Sequence, residues 1–222
     1  MINKTATSSQ ALKTAFRELM KGVYTCVPGY VITLLDDGQN QRAQIQLGVQ
    51  RVDVSGASFE PKPIIDVPVL FLGGDFAVEY QIDQGCEGMV YFSQRCVDGW
   101  KNTGGIAQNP LGRFHDLQDA FFVPGFRSLP NVLPDFENNG IRLRNKSATQ
   151  FAWLKNDGSI FVENGAGHIR LGADGVVTIN GVTIAPDSMV TTPNDVVADG
   201  ISVKDHVHTG VQTGGGNTGA PI

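Results

Sequence analysis

Val177-Thr178-Ile179-Asn180-Gly181-Val182-Thr183-Ile184 decides how the C-terminal part of this 222-residue chain folds. Apolar and hydroxyl residues alternate on both sides of Asn180-Gly181, and a period of two is that of a strand. Asn-Gly favours the left-handed backbone of a two-residue hairpin turn, so the stretch predicts two short antiparallel strands. Val177 and Ile179 fall on one face and Thr178 on the other, and Val182 and Ile184 repeat the arrangement around Thr183. Toward the N-terminus, Asn156-Asp157-Gly158, Glu163-Asn164-Gly165 and Ala173-Asp174-Gly175 punctuate further short strands from Phe151 onward. A lone chain of this kind has open sheet edges and one unburied apolar face, and is marginally stable at best. Three chains wound together would bury those faces on a common axis, which predicts a homotrimer.

Composition points the same way. All the Phe, Tyr and Trp residues lie at or before Phe161, while the remainder stays rich in Val, Ile, Thr, Gly and Asp. Aromatic side chains dominate the buried area of globular cores, so a long stretch without them suits a thin assembly with little room near its axis. Near the end stands His206-Val207-His208. In an extended segment both imidazoles project to one side. Two ligands are too few for a structural metal site, but three copies around a threefold axis would offer six, enough for an octahedron. Six nitrogen donors suit Fe(II) or Ni(II) better than zinc, which prefers four. Availability favours iron, affinity order nickel. The bland alternative is a pair of solvated imidazoles in a frayed tail. Thr209–Ile222 carries no charge and no aromatic residue, and reads either as a flexible tail or as a tight glycine-rich cap.

The N-terminal part differs. Leu12, Ala15, Phe16, Leu19 and Met20 recur at helical spacing between Ser8-Ser9, a possible N-cap, and Gly22, so residues 1–22 predict a short amphipathic helix. Strand patterns follow at Val23–Leu35, Arg42–Val52, Ile64–Leu72, Val78–Ile82 and Gly88–Ser93, with turn signals at Asp37-Gly38, Gly73-Gly74 and Asp98-Gly99. Five short strands in residues 23–126 suggest a small barrel; an OB-like closure is economical, and a sandwich stays open. Pro124, Pro130 and Pro134 with several Asn and Gly mark residues 127–150 as a linker or neck. Residues 151–190 then form the repetitive β-structure, and residues 191–222 the apex with the histidine pair. The fold class is all-β.

Several function classes are disfavoured. The formal net charge is −5 and no Lys/Arg cluster stands out, which argues against a nucleic-acid partner. Beyond Gly181, Asp187, Asp195, Asp199 and Asp205 face only Lys204, so the tip would not adhere to anionic lipid by charge. With no long apolar run and no apolar segment after Met1, a soluble protein not exported by the general secretory route is expected. Cys26, Cys86 and Cys96 lack CxxC spacing and read as free thiols made in a reducing cytoplasm. No GxSxG, HExxH or P-loop pattern is present, so no enzyme is expected. Asp116 and Asp119 with His115 form the weak enzyme alternative, and His168 reads as a solvent-face residue.

Taken together, Pro28-Gly29-Tyr30-Val31, Ile65-Asp66-Val67-Pro68-Val69, Gly85-Cys86-Glu87-Gly88 through Phe92, Asp98-Gly99-Trp100 and Arg113 through Ala120 resemble one known family. It is the membrane-piercing central spike of contractile-tail bacteriophage baseplates, whose N-terminal OB-fold domain these segments resemble. Asp195 through Gly200, His206-Val207-His208 and Gly214-Gly215-Gly216 resemble its tip. The resemblance implies a homotrimer whose OB domains attach to the tail hub protein, followed by an intertwined triple-stranded β-helix. It implies one iron ion per trimer, held on the threefold axis by His206 and His208 of each chain. It places the protein in the virion at the tip of the baseplate, made in the host cytoplasm, with the host outer membrane as target. Two rival readings remain: a trimeric receptor-binding fibre, disfavoured by a tip without aromatics, and an HxH metalloenzyme resembling the cupin oxygenases, disfavoured by the few residues left after His208 to supply more ligands.

Overall fold

Alternation at Arg42–Leu47 is the simplest case of how this chain forms sheet: Ala43, Ile45 and Leu47 are buried, while Arg42, Gln44 and Gln46 face outward. The computed structural model describes residues 7–36, 39–53, 55–210, 212 and 214–216. The Asp37-Gly38 turn signal lies outside the described residues, as do parts of the predicted cap. The chain divides into two compact units between Val132 and Leu133. Among the described residues, no helix is long and apolar enough to cross a membrane.

The first unit holds strands β1 (Cys26–Leu34), β2 (Arg42–Leu47), β3 (Ile64–Pro68), β4 (Glu87–Phe92) and β5 (Ala120–Pro124). They form one antiparallel sheet in the order β3-β2-β1-β4-β5. Past the end of β3, Val69 bridges Phe122 of β5 in parallel, and Leu70 N–H donates to the Phe122 carbonyl at 2.9 Å. These contacts bring the two outer strands together, the closure expected of an OB-like barrel. Val31, Ile45, Val67, Val90 and Phe122 fill the interior. The predicted strands are shorter than their sequence patterns. Arg42–Val52 is broken after Leu47, and Val78–Ile82 keeps only the two-residue ladder Ala77–Val78 with Leu72–Gly73.

Helix α1 spans Ser8–Met20, as its apolar spacing predicts, but its N-cap is Thr7 rather than Ser8 or Ser9. Thr7 and Gln10 form a reciprocal capping box, satisfying two N–H groups that the first helical turn would leave unpaired. Asp98-Gly99, expected as a turn, opens helix α2 (Asp98–Thr103).

One buried polar network ties the barrel's last loop to its wall. Asp119 is fully buried, and Arg113 grips it with Nε to Oδ2 at 3.0 Å and Nη2 to Oδ1 at 2.8 Å. Val97 N–H donates to the same Oδ1 at 3.0 Å, and Arg113 Nη2 also reaches Asp98 Oδ2 at 2.8 Å. Burial by itself would raise the Asp119 carboxyl, but the Arg113 and Val97 hydrogen bonds outweigh it and hold the group below the usual carboxylate range. The Asp116 carboxylate is not paired with it; its Oδ1 accepts from Gln118 N–H at 2.9 Å, while the Asp116 carbonyl accepts from Asp119 N–H at 3.1 Å in a local turn.

The second unit holds β6 (Ile141–Arg144), β7 (Phe151–Leu154), β8 (Ile160–Glu163), β9 (His168–Leu171), β10 (Val177–Ile179), β11 (Val182–Ile184) and β12 (Val190–Thr191). Each pairs with the next in one seven-stranded antiparallel sheet. Asn180 and Gly181 both take positive φ, 46° and 93°, forming the tight turn their identities predict. The sheet begins at Ile141, inside the segment expected as neck, because Ile141-Arg142-Leu143-Arg144 continues the alternation and pairs with β7.

Removing one partner of a buried ion pair strands the other charge, at about 3–5 kcal/mol. Asp119→Ala is therefore expected to lower barrel stability by about 3 kcal/mol, read by denaturant unfolding of a Trp153→Phe background in which Trp100 fluorescence reports the barrel. A loss below about 1 kcal/mol would mean that the pair behaves as a surface one. Because the folded pKa is depressed, the contribution of Asp119 is present above the unfolded carboxylate value and is lost as pH falls below it.

Candidate functional site

Two features of the second unit can carry function: one face of its sheet, and the turn structure around the histidine pair. The register makes the first visible. Ile141, Leu154, Ile160, Leu171, Val177, Ile184 and Val190 stand directly opposite one another across all seven strands. A second row, Leu143, Ala152, Val162, Ile169, Ile179 and Val182, runs beside it. Every one of these side chains is aliphatic, and they share one face because each pairing keeps the same parity. Most are exposed: Ile141 at 68%, Leu154 at 53% and Ile169 at 51%. Contiguous apolar surface of this extent marks an interaction site.

The opposite face needs no such cover. Its central row reads Arg142, Trp153, Phe161, Arg170, Thr178, Thr183 and Thr191. The Arg142 guanidinium lies 4.8 Å from the Trp153 ring centroid, and Lys155 Nζ lies 4.9 Å from it. Trp153 Nε1 donates to the Asn139 carbonyl at 2.7 Å, so this ring is buried within its own chain with its polar atom satisfied. Arg170 lies over Phe161 at 5.1 Å and donates to Glu163 at 2.7 Å. His168 is half-buried on this same polar face, opposite Glu163, as a solvent-face residue would be.

The histidines follow a small hairpin, β13 (Val197–Ala198) and β14 (Ile201–Ser202), turned by Asp199 and Gly200 at φ 47° and 80°. The chain leaving β14 is fixed by hydrogen bonds from its backbone. Val203 N–H donates to the Val196 carbonyl at 2.8 Å, Lys204 N–H to Asp195 Oδ1 at 3.0 Å, and Asp205 N–H to Ser202 Oγ at 2.6 Å. Sequence reasoning gave Asp195 no such role, since its partner stands nine positions away and no local pattern announces it. His206 and His208 come together, their ring centroids 5.0 Å apart at 79°, while Val207 is exposed between them. His206 Nδ1 lies 3.2 Å from the Val203 carbonyl oxygen. A carbonyl can only accept, so that bond puts the proton on Nδ1 and leaves the Nε2 lone pair free, the usual backing of a ligating imidazole. Both rings are exposed, open to ligation and to neighbouring chains. The donor set fits a metal in part, with two nitrogens from one chain.

Another group of metal-ligand residues lies in the barrel, not here: Cys96, Asp98 and Asp119. Arg113 already fills its centre, with Nη2 at 3.2 Å from Cys96 Sγ and 2.8 Å from each carboxylate. Its positive charge takes the place a cation would need. Gly214–Gly216 has no regular structure, and Val211, Thr213 and 217–222 of the predicted cap lie outside the described residues.

Comparison with known families meets both units. Residues 27–125, from the start of β1 to just past β5, match the family model described as the phage protein Gp138 N-terminal domain. Residues 200–221, from the hairpin turn through the histidine pair, match the GpV Apex motif, a metal-binding tip family. No curated protein matches the chain. The two matches together are those of a phage baseplate spike protein, a structural component of the virion tail.

Hydrogen bonds from Ser202 and from Lys204 N–H hold the Asp195 carboxyl below the usual range. A depressed folded pKa contributes stability above the unfolded value near ~3.9 and loses it as pH falls through the folded value. The Lys204 amide proton is accordingly expected to titrate with a midpoint below about 3.9 in an NMR pH series, and to lose that transition in Asp195→Ala. A midpoint at the ordinary value would contradict the anchoring role.

Proposed function

We propose that this chain is the central spike of a contractile-tail phage baseplate and acts as a homotrimer that pierces the host outer membrane when the tail contracts. The observation that carries the reading is the double aliphatic row on one face of the seven-stranded sheet. Three copies turned inward would close three sheets into a prism and bury those rows against one another as an intertwined β-helix. Burying a Val, Leu or Ile side chain is worth roughly 1.5–3 kcal/mol, and each copy offers such a side chain on every strand. Association then becomes part of folding, and no single chain can fray independently.

Residues 23–126, the OB-like domain, are assigned to attachment at the tail hub protein, with residues 1–22 preceding it. Residues 191–222 are assigned to the apex. There His206 and His208 of three chains would hold one iron ion on the threefold axis. That ion would supply a cross-link between three C-terminal segments where load is highest. The chain's own contribution is to present the imidazoles: Val203 sets the His206 ring, and the Asp195 and Ser202 contacts fix the backbone that carries it. A narrow, stiff tip concentrates the force of sheath contraction on a small area of membrane, and no catalytic step is required.

Two substitutions separate the faces. Ile169→Asp places a charge in the aliphatic rows and is expected to convert the trimer to monomer in sedimentation analysis, while Thr178→Asp on the opposite face leaves the trimer intact. Equal behaviour of both variants would remove the aliphatic face as the interface. Replacing both His206 and His208 by Ala is expected to abolish iron binding in elemental analysis while the trimer persists; iron retained at the wild-type ratio would exclude these residues as its ligands.

A further inference from the structure

Helix α1 is unfinished in its own chain. None of its residues is buried, and Leu12, Phe16 and Leu19 are 73%, 63% and 74% exposed along one stripe. A 13-residue helix is marginal in water without packing. The first unit also carries an apolar surface that is only partly covered: Trp100 of α2 lies against Phe121 with ring centroids 5.7 Å apart, while Tyr30 and Tyr91 are each 41% exposed. On the outer face of its sheet, Pro28 and Tyr30 of β1, Met89 and Tyr91 of β4, and Phe121 and Val123 of β5 point away from the core. The register sets Pro28 opposite Met89, Met89 opposite Val123, and Tyr91 opposite Phe121, so these side chains form one patch. It ends at β2, whose outward residues Arg42, Gln44 and Gln46 are polar.

A helix stripe laid on a sheet face is a standard way to bury both. We propose that α1 of one copy seats its Leu12-Phe16-Leu19 stripe on the outer β1-β4-β5 face of a second copy of this chain. Three observations favour a second copy as the occupant. Helix and face occur in equal number in any assembly of one chain, so neither is left over. Within its own chain α1 buries none of its residues, and it is joined to β1 by the short segment Lys21–Thr25. Charge is complementary as well: α1 and its cap carry Lys13, Arg17 and Lys21 against Glu18, whereas the chain as a whole is at −5. On the receiving face, Glu87 stands in the outward row beside Tyr30, where its carboxylate keeps its negative charge while accepting hydrogen bonds from Ser128 and Asn131. Such a contact is heterologous, and three of them close a ring under threefold symmetry. The inference rests on the trimer reading and adds to it a second interface, in the first unit.

Cys26 makes the seat testable, because it is exposed on the same face opposite Tyr91. In the full-length chain, Leu12→Cys, Phe16→Cys and Leu19→Cys would each be treated with a short bismaleimide and separated under denaturing conditions. Dimeric and trimeric species are expected from these positions, lost on adding Cys26→Ser, and absent from Thr14→Cys on the opposite side of the helix. Three results overturn the proposal: linkage within a single chain, helix-to-helix linkage that survives Cys26→Ser, or no linkage at any of the three positions in a sample that remains trimeric. A chain that is monomeric before cross-linking overturns the trimer reading and this one together.

Discussion

The constraint on which the second unit depends is an apolar face that its own residues cannot bury. Antiparallel pairing satisfies the backbone of Ile141–Thr191 strand by strand, and cation–aromatic stacking with the Trp153–Asn139 hydrogen bond covers the Trp153 ring on the polar face. What remains is aliphatic, in register and exposed. A sheet one layer thick has no interior, so its hydrophobic stabilisation has to come from a second layer. The absence of aromatic residues beyond Phe161 fits the proposed trimer, whose narrow axis larger rings would hold open.

The strands of the first unit enclose a core of their own. Curling five strands until Val69 meets Phe122 encloses an apolar interior, and the Arg113–Asp119 pair locks the loop before β5 to the start of α2. This pair is charged, buried and fully hydrogen-bonded, the condition under which a buried ion pair is tolerated. It also accounts for the Cys96, Asp98 and Asp119 cluster without a metal ion.

Much of this architecture was legible in the sequence, for local reasons. Alternation and Asn180-Gly181 gave the hairpins, and helical spacing of Leu12, Phe16 and Leu19 gave α1, because strand parity, turn chemistry and helix periodicity are properties of neighbouring residues. The same local rule could have found β6 in Ile141-Arg142-Leu143-Arg144, where the surrounding prolines drew attention away. Thr7 as N-cap was readable from Thr7 and Gln10, whose spacing is that of a capping box. Contacts set by tertiary closure were not readable. Nothing near Arg113 says that its guanidinium ends between Asp98 and Asp119, and nothing near Lys204 points to Asp195. His206 and His208 stand as a pair in the sequence, and their rings lie together in the structure. The carbonyl behind His206 came only from the fold.

The most direct measurement is native mass spectrometry of the full-length chain purified with its metal retained. The account predicts a single species of three chains carrying one iron ion, which joins the aliphatic face and the histidine pair on one axis. A monomer, with or without metal, would contradict it, since the aliphatic rows would then have no partner and two imidazoles no symmetry to complete their site.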